Sequence, residues 1–226
     1  MRGHLMSAAR IVLNRPPVAH RGHLPILLRL QGEGVEVGVK AGLYSETILR
    51  LSLLSRLFSV DPWKTYPMEV YQDISNAPQA EQEQCYQETV ERLRRYQDRS
   101  RILRMTSGEA AGLFGEHALD FVYVDANHSY EACARDLELW WPKVKPGGVF
   151  AGHDYLDGEL RKPSGPLKGI MGVKRAVNEL VQRTRQRLWV TTEHPCPSWY
   201  VVKDVDRIHR LIPINLLLSD PRAFAP

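Results

Sequence analysis

The chain has 226 residues, 43% of them hydrophobic and 25% charged, with a formal net charge of +4. That length and balance fit one globular domain with a full core and argue against the disordered and membrane-spanning classes. Cys85, Cys133 and Cys196 show no CxxC spacing and the N-terminus lacks an apolar run of signal-peptide length, so a reduced, cytoplasmic setting is expected.

Residues 1–30 carry no clear period beyond the apolar piece Leu24 to Leu30, and Pro16-Pro17 prevents a continuous helix. They read as an arm, a short helix laid on the domain, or a lid. Gly34 to Val39 is an alternating valine strand broken by Gly38, and Ala41-Gly42 leads into a helix with Ser45 and Glu46 near its start. Tyr44, Ile48, Leu51 and Leu54 mark its buried side. A strand, a glycine turn and a helix N-terminus form a seat for a ligand, although the spacing lacks the full G-x-G-x-x-G fingerprint.

The second strand, Arg56 to Val60, ends in Asp61-Pro62-Trp63. An acid there, about twenty residues past the glycine turn, is placed to accept hydrogen bonds from ribose hydroxyls. The alternative is that Asp61 caps a turn. Lys64 to Pro78 is an aperiodic insertion that either contacts substrate or merely connects, and the helix after it is expected to face Tyr86, Val90 and Leu93 inward. The basic run Arg92 to Arg104 reads as a solvated helix face before a nucleic-acid patch.

Ile102 to Met105 is expected as the third strand, with Thr106-Ser107-Gly108-Glu109 turning into a helix. The apolar runs Phe121 to Val124 and Val149 to Ala151 flank a helical pattern of Tyr130, Cys133, Ala134, Leu137 and Trp141 that stops at Pro142. Strand, helix, strand in one sheet implies parallel strands ending at the same edge. Asp125, His128, His153 and Asp154 directly follow those strands, so the carboxyl edge carries a candidate site. Asp157 to Gly169 has lid composition and precedes a helix lined by Val173, Ala176, Val177, Leu180 and Val181. Leu188 to Thr192 and Trp199 to Val202 are two strands whose short connection forces antiparallel pairing.

Five parallel strands alternating with helices, then an antiparallel hairpin, is the order of the class I S-adenosylmethionine-dependent methyltransferases, a Rossmann-like α/β fold with a mostly parallel seven-stranded sheet and helices on both faces. The motifs VEVGVKAGLYSETIL, VDPW, LDFVYVDANHSYE and PGGVFAGHDY carry a closer resemblance, to methyltransferase family 24, over Val35 to Tyr155. The chain is more distantly similar to the sugar, macrolide and catechol O-methyltransferases. Residues 31–203 form the expected catalytic domain, with 1–30 and 204–226 as extensions.

The resemblance implies that Glu36 and Gly38 lie beneath the methionine part of S-adenosylmethionine, the glycine because a Cβ would obstruct the cofactor. The family motif around Gly42 and Ser45 belongs to the same cofactor site. Asp61 would take the ribose, Trp63 would pack near the adenine with Thr106 and Ser107, and Asp125 would face the reaction centre. The relatives bind magnesium with a carboxylate after the fourth strand and an acidic or amide pair after the fifth, which maps a divalent ion to Asp125, His153 and Asp154. An imidazole at His153 departs from magnesium's oxygen preference. Deprotonation of an acceptor hydroxyl falls to His128, His153 or Asp125. The expected activity is methyl transfer to a hydroxyl of a sugar or secondary metabolite, without nucleic acid or membrane, in a chain able to form homo-oligomers. A nucleic-acid methyltransferase and a non-catalytic cofactor-binding partner are the alternatives.

Overall fold

The computed structural model describes residues 18–73, 75–161 and 167–204. The segments expected as an N-terminal arm before Val18 and as an extension after Asp204 lie outside the described residues. In chain order the elements are a 3-10 helix (Arg21–Ile26), β1 (Glu33–Val37), α1 (Leu43–Leu51), β2 (Arg56–Val60), α2 (Gln79–Leu93), β3 (Ser100–Leu103), α3 (Ser107–Ala111) and β4 (Leu119–Val124). Then follow α4 (Tyr130–Trp140), β5 (Val144–Gly152), β6 (Asp157–Arg161), β7 (Leu167–Gly172), α5 (Val173–Thr184), β8 (Trp189–Val190) and β9 (Trp199–Val202).

The main sheet has the order β3-β2-β1-β4-β5-β9-β8, with β9 antiparallel to both of its neighbours. Side chains alternate across it. Val122 and Val124 of β4 face a core with Ala110, Cys133, Leu137, Trp140, Ala176 and Val177 from α3, α4 and α5. Phe121 and Tyr123 of the same strand face Leu24, Leu27, Ile48, Leu49 and Leu93 from the 3-10 helix, α1 and α2. Both faces are thus covered, which is why the parallel strands read as near-continuous apolar runs.

Register places the site. Val37 pairs with Val60 on one side and Val124 on the other, and Val124 pairs with Gly152. Asp61, Gly38, Asp125 and His153 therefore succeed four aligned strand ends. The ladder extends into them: the amides of Gly38, Asp125 and His153 donate to Val60, Val37 and Val124 carbonyls at 2.9, 2.8 and 3.1 Å.

Local chemistry starts and stops the helices. Thr106 and Glu109 form a reciprocal capping box on α3, the Ser129 hydroxyl caps α4, and Pro142 lies in the 3-10 turn that ends it. Three expectations change. The third strand runs from Ser100 to Leu103, two residues earlier than expected, because the Met105 amide closes a turn onto Leu103. On α2 the inward residues are Thr89 and Leu93, while Val90 is exposed. The segment expected as an irregular lid is instead the hairpin β6–β7, a separate two-stranded sheet, with residues 162–166 outside the described residues. No helix among the described residues is long and apolar enough to cross a membrane.

Candidate active site

Gly38 and Gly42 shape the turn after β1. Both have positive φ, +86° and +75°. A Cβ on Gly38 would lie 1.9 Å from the carbonyl oxygen of Asp125, so close approach of the β4 end already requires glycine there, whether or not a ligand is present. This adds a backbone reason to the expected one, that a Cβ would obstruct the cofactor.

Glu36 is buried, and its carboxyl accepts a hydrogen bond from the Ser45 hydroxyl, which also contacts Ser59 Oγ at 2.8 Å. Burial, reinforced by Asp125 and Asp61, pushes Glu36 up to about 8 against that hydrogen bond. Asp61 accepts the amides of Val39 and Lys40 at 2.9 and 3.0 Å and that of Trp63 at 2.8 Å. An ionised carboxylate offers about four acceptor directions, so it knits the turn and keeps capacity for one further donor.

Trp63 is fully buried, its indole N–H donating to Lys40 O at 2.7 Å and its ring edge-on to Tyr86. It braces the turn and offers no free face to an adenine ring, a correction to the expectation. Thr106 is engaged with Glu109, and the Ser107 hydroxyl donates to Asp136 at 2.5 Å while receiving the Trp140 indole N–H at 2.9 Å. Their side chains are spent on α3 and its packing, which leaves backbone groups of that turn to meet a ligand.

At the β4–β5 end, Asp125, His128 and Asp154 bring one ligand atom each within 4.8 Å of one another. His128 is the imidazole in this trio. The expected donor His153 lies beside it, Nδ1 3.3 Å from Asp154 and 3.8 Å from Asp125. The reason is the β4–α4 connection: Asn127 Oδ1 accepts the Ser129 amide, Ser129 caps α4, and the turn directs His128 back over the edge.

His128 Nδ1 contacts Asp73 at 2.6 Å, and Nε2 contacts Asp154 at 2.9 Å and Asp125 at 3.5 Å. Burial opposes its charge, but bonds to Asp125, Asp154 and Asp73 outweigh it and push the imidazole up to about 12. Carboxylates at both ring nitrogens thus favour the imidazolium, which makes His128 a poorer general base than an unpaired imidazole in the metal-free site. Asp154 is held well below the usual carboxylate range: burial would raise it, but His128 and His153 prevail.

Two contributors escaped the sequence. Asp73 comes from the insertion, where Asn76 staples the segment by receiving the Tyr66 amide and donating to Tyr66 and Tyr71 carbonyls. Arg21 comes from the N-terminal 3-10 helix and reaches Asp125 at 3.6 Å. A residue of unpatterned sequence meeting a site across such chain distances leaves no periodic signal.

The donor set suits a divalent ion. Two carboxylates and an imidazole nitrogen could serve as ligands, with Asp73 at the opposite ring nitrogen as the orienting partner. The ion would have to displace the Nε2 proton, so proton and metal compete there.

The family described as a methyltransferase domain, methyltransferase family 24, matches residues 35–155, more than half of the chain. Among curated proteins no sequence matches. Three solved structures share the fold at low identity. An O-methyltransferase from Bacillus cereus in complex with S-adenosylhomocysteine is 17% identical, covering 88% of this chain and 88% of its own, at TM-score 0.54. An rRNA methylase from Streptococcus thermophilus is 15% identical over 80% of this chain and 92% of its own, at 0.52. A spermidine synthase from Thermotoga maritima is 14% identical over 85% of this chain and 59% of its own, at 0.52. The aligned strand ends, the glycine turn and the family match lead to one statement: the chain belongs to methyltransferase family 24, among the S-adenosylmethionine-dependent methyltransferases.

Proposed function

We propose that the protein methylates a hydroxyl oxygen of a small molecule at the edge formed by the ends of β4 and β5. The observation that supports this reading is the meeting of Asp125, His128 and Asp154 within 4.8 Å, with His153 alongside. Bound S-adenosylmethionine supplies a methyl group already activated on a sulfonium. The protein's own tasks are then alignment and removal of the acceptor proton, and alignment alone can supply roughly 7 to 11 kcal/mol in favourable cases.

The proton goes to His153 in this reading. Its Nδ1 faces Asp154 and Asp125, which orient the ring and stabilise the imidazolium formed, and Nε2 is the nitrogen left for the acceptor. Without a metal, His128 holds Asp125 and Asp154 in place through Nε2. A divalent ion at Asp125, Asp154 and His128 Nε2 would add acidification of a coordinated hydroxyl, and this mixed oxygen and nitrogen set favours manganese or another transition metal over magnesium.

A small acceptor is favoured because the charge of the basic run is largely offset by neighbouring carboxylates. Arg92 and Arg95 pair with Glu46, Arg94 with Glu91, Arg101 with Asp98, and Arg104 with Glu83, while Arg99 donates to Leu54 and Ser52 carbonyls. Side chains so engaged give little net field for phosphates.

The test is methyl transfer to a panel of sugars, polyols and phenols, with and without EDTA and with manganese or magnesium added back. Transfer to a hydroxyl supports the reading, and restoration by manganese supports the ion. Transfer to RNA alone sinks it, and activity unaltered by His153→Ala removes the imidazole base.

A further inference from the structure

Resting on the methyl transfer proposed above and on the cofactor placement that the family resemblance implies, we propose that Arg21 binds the α-carboxylate of the cofactor's methionyl end and so selects for that end of the molecule. Along the sheet edge the order is Asp61, Gly38, Asp125, His153, set by the paired strand ends. A nucleoside with its ribose at Asp61 and its sulfur over the Gly38 turn would carry its amino-acid tail to the β1–β4 ends, next to the start of α1. Arg21 stands at that junction.

Its backbone is pinned from two sides. The Arg21 amide donates to Glu193 Oε2 at 3.2 Å, and its carbonyl accepts the Tyr44 hydroxyl at 2.9 Å. Leu24 of the same 3-10 helix and Leu27 just past its end are buried in one core with Ile48 and Leu49 of α1, so this segment is an anchored part of the domain. The guanidinium lies 5.3 Å from the centre of the Tyr44 ring and 3.6 Å from Asp125 Oδ2, with its side chain 33% exposed. A guanidinium has five N–H donors in a planar fork, and the long ion pair to Asp125 together with a hydrogen bond to the Tyr123 hydroxyl still leaves donors for a second carboxylate.

Charge explains why an arginine is needed there. Glu36, Asp61 and Asp125 converge on this junction, and their mutual repulsion contributes to Glu36 keeping its proton. That field suits the cofactor's sulfonium and ammonium groups and opposes its carboxylate. Arg21 supplies the missing positive charge at a fixed place. Lys40, the next cation along the β1–α1 turn, is exposed and lies on the side of Cys85 on α2.

The test compares two nucleosides that differ in this tail. S-adenosylhomocysteine has the amino-acid end, and 5′-methylthioadenosine lacks it while keeping the adenine, ribose and sulfur. Calorimetric titration of the full chain and of Arg21→Ala should show roughly 10- to 100-fold weaker binding of S-adenosylhomocysteine, with methylthioadenosine altered less than about twofold. Arg21→Lys should recover part of the loss, since it restores charge without the fork. Equal weakening of both nucleosides would show that Arg21 only orders the site, and unchanged S-adenosylhomocysteine binding would show that the carboxylate goes elsewhere; either overturns the proposal. Failure of both nucleosides to bind the unmutated chain would instead overturn the cofactor reading itself, and the role of Arg21 with it.

Discussion

Replacing Glu36 by Gln should change how stability depends on pH. Glu36 is 2% exposed on the central strand β1, with the Ser45 hydroxyl bonded to its carboxyl. Burial, with help from Asp125 and Asp61, moves it from 4.5 to about 8. Between those two values the unfolded chain has released the proton and the folded chain keeps it. The folded state therefore binds more protons, and stability falls as pH rises through that window. At about 1.4 kcal/mol per pH unit the whole span gives an upper bound of roughly 5 kcal/mol, and relaxation around the ionised carboxylate lowers the expectation to about 2 kcal/mol. Gln can accept the same Ser45 bond and has no proton to release. For a chain of this size, about 2 kcal/mol moves the thermal midpoint by roughly 4 to 8 °C. The assay is thermal unfolding of both proteins at about pH 5.5 and about pH 8.5, where the difference between them cancels the other titrating groups. The variant should gain on the parent by that amount at the higher pH. A gap in midpoints that stays the same at both values would refute the reasoning.

The remaining predictions concern the reaction edge and the turn beside it. Asp73→Asn keeps a hydrogen-bond acceptor for His128 but removes its charge, and methyl transfer should fall roughly 10- to 100-fold, as for other partners that orient a ligating imidazole. Unaltered turnover would show that the insertion is a passive connection. His128→Gln takes the His128 imidazole from Asp73 and Asp154 and leaves Asp125 with Arg21 as its cation, and should lower stability at neutral pH by roughly 3 kcal/mol in denaturant titration. Because the imidazole is raised from 6.5 to about 12 in the folded state, that contribution is full below 6.5 and fades as pH rises toward about 12. A loss that grows with pH would contradict this. Gly38→Ala puts a Cβ 1.9 Å from a backbone oxygen at a φ of +86°, a clash no side-chain rotation relieves. It should destabilise by roughly 3 kcal/mol or more, and a well-folded variant of parental stability would contradict the backbone argument.

The fold was legible because parallel strands covered on both faces write themselves as apolar runs, and because glycine, acid and proline punctuate their ends. β1, β2, β4 and β5 and the helices between them follow from such local signals, as does the antiparallel β8–β9 pair from its short connection. The hairpin β6–β7 was missed because the stretch from Asp157 to Gly169 is polar and glycine-rich, the composition of a loop, and of the adjacent apolar pair only Met171 is buried while Ile170 is exposed. Val90 was misplaced for a different reason: a lone apolar residue one position from the buried Thr89 carries no phase of its own.

At the site, Asp125 and Asp154 could be named from strand ends alone, since register depends on chain order. Which histidine joins them could not, because the choice rests on how the Asn127 and Ser129 turn directs His128 and on Asp73 arriving from a distant loop. Trp63 looked like a ligand-packing residue beside Asp61, yet a single positive φ of 44° turns its ring into the core. The arginine run read as a solvated face turned out to be paired almost along its length, which no composition count reveals.

The most direct test of the account is a crystal structure of the full chain grown with S-adenosylhomocysteine and manganese. The product is expected along the edge from Asp61 to His153, its sulfur directed at the space bounded by Asp125, His128, Asp154 and His153, and the ion on Asp125, Asp154 and His128. A product bound with its sulfur turned away from that space, or bound elsewhere on the sheet, would contradict it.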